Sequence, residues 1–135
     1  MKHILLFVWQ LPQHILGLLL RCLCAGRCRA VKRKGAAVVF FIEHFWGGIC
    51  LGAYIFIDYT LINDQRILTH EYGHFLQSRM LGPLYLLIVG VPSITMNIFC
   101  RILGPQSRFS ARYYQRFPEN WADKLGNMAE ERKLF

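Results

Sequence analysis

The chain has 135 residues, of which 54% are hydrophobic and 18% charged, with a net charge of +8. That is one small domain with a modest core, more apolar than most soluble domains of its size and basic on the polar surface it keeps. Its aromatics sit in apolar runs rather than among basic residues, which argues against a nucleic-acid partner and for an anionic membrane surface.

The first segment, Ile4–Leu20, is apolar but interrupted by Gln10, Pro12, Gln13 and His14. It is short against the ~20 residues a bilayer crossing needs, and no small-x-small cleavage site follows it. Arg21, Arg27, Arg29, Lys32, Arg33 and Lys34 come next, a block suited to anionic headgroups. Residues 1–34 therefore read as a membrane-associated helix or kinked helical pair with a basic collar. Residues 35–135 read as the functional domain. The five cysteines, Cys22, Cys24, Cys28, Cys50 and Cys100, are odd in number. That fits a reducing compartment or buried thiols better than a secreted disulfide framework, and the chain is expected at a membrane, on its cytoplasmic side.

Ala36–Glu43 is β-branched and aromatic, and Ile49–Asp58 is apolar again after Gly47-Gly48. Two short apolar runs punctuated by glycine predict a hairpin or small antiparallel sheet. A helix is predicted from about Asp64 to Leu81, capped by Asn63 or Asp64 and stopped at Gly82-Pro83. Leu84–Leu103 is the second strongly apolar segment, with Pro92 in its middle. If its two ends must return to one place, it is expected to kink at Pro92 as a re-entrant pair, or to be a buried core helix, rather than to cross once. Gln106–Phe117 is basic and aromatic, suited to solvent or headgroups. Pro118-Glu119 starts the last helix.

The predicted helix over 64–81 carries His70-Glu71-Tyr72-Gly73-His74. Two histidines four apart project from one helical face, so both imidazoles can reach one Zn²⁺, with Glu71 beside the position where a water would bind. Gln77 continues that stripe, either towards a substrate or bonded to a neighbouring carbonyl. A zinc site with two histidines needs a third protein ligand. Glu119 and Asp123 share one face of the last helix, with Glu119 suited as that ligand and Asp123 as acceptor of a ligand histidine's other N–H. Candidates for stabilising an oxyanion are His44, Arg112 and Tyr113.

His-Glu-x-x-His followed by Glu-x-x-Ala-Asp-x-x-Gly resembles the gluzincin metallopeptidases. The second element looks most like the membrane CAAX-type and heat-shock-type endopeptidases, whose matching helix supplies the third ligand. HEYGHFLQS, LGPLYLLIVGVPS and ENWADKLG together also look like small, uncharacterised bacterial members with this arrangement. The resemblance covers roughly residues 47–126, and most of the sheet and the second lobe of larger gluzincins are missing. It implies an α+β zincin-like core and a zinc-dependent hydrolase of peptides or proteins, with Glu71 as general base. The alternative is a non-catalytic, membrane-associated protein that keeps zinc as a structural clamp. Oligomeric state is not legible.

Overall fold

The computed structural model describes residues 2–104, 112 and 115–132. Its architecture is α+β, a four-stranded sheet with helices on both faces. The helices are α1 (Lys2–Trp9), α2 (Leu11–Leu23), α3 (Gln65–Leu81), α4 (Val91–Leu103) and α5 (Glu119–Glu131). The strands are β1 (Cys28–Lys34), β2 (Ala37–Ile42), β3 (Gly48–Leu51) and β4 (Tyr54–Asp58), in spatial order β1-β2-β4-β3.

Strict alternation in β2 and β4 builds two cores. Ala37, Val39, Phe41, Ile55 and Ile57 point to one face with Cys50, where Tyr72 and Phe75 of α3 cover them. Phe40, Ile42 and Phe56 point to the other, against Cys24 and Leu20 at the end of α2. Such two-sided burial is why both strands read as continuous apolar runs.

The two runs do not pair as one hairpin. Gly52, at φ 63, folds the second run into its own hairpin, β3–β4, and β4 then lies parallel to β2. The sheet is therefore mixed rather than antiparallel throughout. The β2–β3 connection has to cross the end of β4, and Asp58 fastens it there. Its carboxylate accepts from Phe45 N at 2.7 Å, and its amide donates to Gly47 O at 2.8 Å.

The division at residue 34/35 falls inside another hairpin, because the basic stretch Cys28–Lys34 is β1 and pairs with β2. Lys34, expected in the basic collar at anionic headgroups, is buried. Its ammonium pairs with Glu130 and lies over the Tyr72 ring.

Pro92 neither breaks the second apolar segment nor makes it double back. It occupies the first turn of α4, where its missing N–H costs little, and a π-helical turn, Leu86–Gly90, runs straight into it. The result is one helix over Leu86–Leu103, long and apolar enough to cross a membrane, with 6% of it buried. A buried core helix is thereby ruled out. None of the five cysteines is in a disulfide.

Candidate metal centre

Asp64 caps α3, its carboxylate accepting from Arg66 N at 2.9 Å. Six residues on, one face of that helix presents His70 and His74, with ring centroids 4.8 Å apart. Glu119 arrives from α5, and the approach of the two helices is set by small residues. A Cβ on Gly73 would collide with the Ala122 carbonyl, and one on Gly126 with the Thr69 carbonyl. The backbones therefore touch, which brings the Glu119 carboxylate between the imidazoles. Its Oε2 lies 2.9 Å from His70 Nε2 and 3.3 Å from His74 Nε2. His70, His74 and Glu119 form a group that could hold a metal ion, with one donor atom from each within 4.8 Å of the others.

The surrounding polar atoms suit that task. Asp123 Oδ1 is 2.7 Å from His70 Nδ1, and Gln77 Oε1 is 2.8 Å from His74 Nδ1. Each Nδ1–H can thus donate outward, so an Nε2 that gave up its proton would present a lone pair to the cluster. Gln77 also donates from Nε2 to Pro118 O at 3.0 Å, tying the start of α5 to α3. It is bonded to a neighbouring carbonyl, one of the two roles expected for it, and it also orients the His74 ring, which the sequence reading missed. Ser93 of α4 donates to Glu119 Oε1 at 2.5 Å. It too was missed, because Thr95 and Asn97 stand in the same apolar helix and nothing local singles out Ser93.

Burial dominates the electrostatics and is then partly overruled. Burial by itself would lower the His70 pKa, but the carboxylates of Glu119, Glu71 and Asp123 outweigh it and lift the imidazole to about 9. Burial would likewise raise Glu119, yet its hydrogen bonds from His70, His74 and Ser93 hold it well below the usual carboxylate range. For Glu71 burial wins and pushes the carboxyl up, against the pull of His74 and His70.

Glu71 packs against Gly48 of the edge strand β3, where any Cβ would strike its carboxylate. Its Oε2 is buried with no hydrogen-bond partner. A buried carboxylate oxygen without a donor is costly, so it calls for a ligand or water. Two of the three oxyanion candidates are exposed rather than gathered at the buried cluster. His44 is exposed at φ 53 in the turn after β2, and Arg112 is exposed between α4 and α5. Tyr113 lies outside the described residues. No family model, curated protein or solved structure matches the chain.

Proposed function

We propose that the chain is a minimal, membrane-associated zinc metallopeptidase, with His70, His74 and Glu119 as ligands and Glu71 as general base. The observation that carries this reading is the buried, unpartnered Glu71 oxygen beside a three-donor cluster. A purely structural clamp has no use for such an oxygen. Two imidazoles and one carboxylate suit Zn²⁺, which when bound would supply a Lewis acid that acidifies a water and polarises a carbonyl.

Glu71, with its affinity for protons raised by burial, takes a proton from the attacking water and returns it to the leaving amine as the C–N bond breaks. Asp123 and Gln77 hold the two rings in the tautomer that keeps Nε2 free. Strand β3 is the sheet edge beside Glu71, with Tyr85 already on its Cys50 carbonyl, so an extended peptide adds at its Gly48 end. The basic residues Arg21, Arg27 and Arg29 support a cytoplasmic placement at an anionic leaflet.

The test compares zinc content and peptide hydrolysis for wild type, Glu119→Ala and Glu71→Gln. The expected pattern is about one zinc per chain in wild type and Glu71→Gln, little in Glu119→Ala, and hydrolysis in wild type alone. Zinc absent from metal-replete wild type would sink the reading. Full function in Glu71→Gln would reassign the metal as a clamp.

A further inference from the structure

Helix α2 is built inside out. Its buried residues are Gln13, His14 and Gly17, with Gln10 just before it also buried and Leu20 on the sheet at its end, while Leu11, Ile15, Leu16, Leu19 and Leu23 face outward. Gln10 donates to Ser78 Oγ at 2.7 Å and Gln13 to the Gly82 carbonyl, both at the end of α3. A surface helix in water turns its apolar stripe inward and its amides out. The reverse arrangement is what a helix needs when the medium outside is hydrocarbon and polar groups must find partners inside.

The second apolar helix repeats this exposure. Leu87, Val91, Ile94, Ile98 and Ile102 all face outward. Its two ends reach towards the β3 side of the sheet. Tyr85, at its start, donates to Cys50 O at 3.2 Å, and Arg101, near its end, donates to Trp46 O at 2.8 Å. The sheet itself grades from wet to dry, with Arg29, Lys32, Arg33 and Lys34 on β1 at one edge and no charged residue on β3 at the other. Arg21, Arg27 and Arg101, all exposed, flank the C-terminal ends of the two apolar helices, where anionic headgroups would complement them.

Ser93 fixes where the metal-ligand cluster sits on this surface. At 1.5 Å per residue it lies about 10 Å from one end of the Leu86–Leu103 helix and about 15 Å from the other, and it holds Glu119 directly. We propose that α2 and the Leu86–Leu103 helix are embedded in the bilayer, and that the cluster works inside the hydrocarbon layer at the depth of Ser93. Its substrate is then an apolar peptide segment that itself lies in the membrane. A centre at mid-depth is within reach of a chain returning from either surface, so the helix crosses without doubling back. The substrate half of this inference rests on the metallopeptidase reading, whereas the depth does not.

The experiment uses full-length protein in vesicles of phosphatidylethanolamine and phosphatidylglycerol, with benzoylphenylalanine placed singly at Ile94, Ile98 or, as a control on α5, Met128. Irradiation is expected to give lipid adducts at Ile94 and Ile98, at least tenfold above Met128. Equal adducts at all three positions, or none, overturn the depth. Crosslinks to a second copy of the chain in place of lipid overturn it as well, by identifying a protein-covered face. In parallel, the unmodified protein is given a 20-residue Leu/Ala peptide in the same vesicles and a soluble peptide of mixed composition. Cleavage of the embedded peptide at least tenfold faster, and abolished by Glu71→Gln, is expected. Faster cleavage of the soluble peptide overturns the substrate half. Cleavage of neither, with lipid adducts and zinc present, removes the peptidase reading and leaves the depth standing.

Discussion

His70 carries a carboxylate at each ring nitrogen, Asp123 on Nδ1 and Glu119 on Nε2. Its pKa of about 9 exceeds the ordinary 6.5, so between those values the folded, metal-free protein holds a proton that the unfolded chain has released. The resulting stabilisation is complete below pH 6.5 and lost as pH rises through about 9, on the order of 3 kcal/mol in all. Zinc has to displace that proton. Binding at pH 7 should therefore release about one proton, read by calorimetry in two buffers of different ionisation heat, and affinity should rise with pH towards 9. A binding heat independent of buffer would refute the assignment. The grouping of His70, His74 and Glu119 was legible in the sequence because helical spacing alone aligns His70 with His74 and Glu119 with Asp123. Ser93 was not, because its bond to Glu119 depends on the path of the intervening chain rather than on any local period.

Between elements, the α3–α5 crossing decides whether the ligands meet. Gly73→Ala would push the Ala122 carbonyl away and carry Glu119 with it. Overpacking of this kind costs ~1–3 kcal/mol, and zinc affinity should fall by at least about tenfold, since ligation tolerates little displacement. Thermal denaturation and zinc titration of Gly73→Ala check both. Wild-type zinc affinity in that variant would show that the glycine does not set the ligand geometry. The helix itself was readable from Asp64 and Gly82, one a cap that accepts from the first turn and the other a stop at φ 54. Strand order was less so. Alternation marks β2 and β4 as strands but carries no information on neighbours, and the parallel β2–β4 pairing follows from the Gly52 turn and the Asp58 fastening together.

For the molecule as a whole, the N-terminal third is structural rather than an appendage. Leu20, Cys24 and Cys28 cover the second face of the sheet, and β1 completes its edge. Residues 35–135 alone should therefore lack a cooperative transition, shown by poor amide dispersion in NMR spectra, where the full chain gives a dispersed one. A dispersed spectrum from the fragment would restore the division that composition suggested. That division looked natural because a run of arginines and lysines resembles a collar, and only pairing partners distinguish it from a strand. The long excursion between His74 and Glu119 has a further consequence, for the order of events during synthesis. A ribosome has made the sheet, both histidines and the whole of Leu86–Leu103 before it reaches the third ligand. A nascent chain therefore offers a two-histidine site with weak hold on any ion. If the apolar helix inserts as it emerges, membrane entry precedes completion of the three-residue group, so the metal binding and hydrolysis proposed above would both belong to the inserted chain.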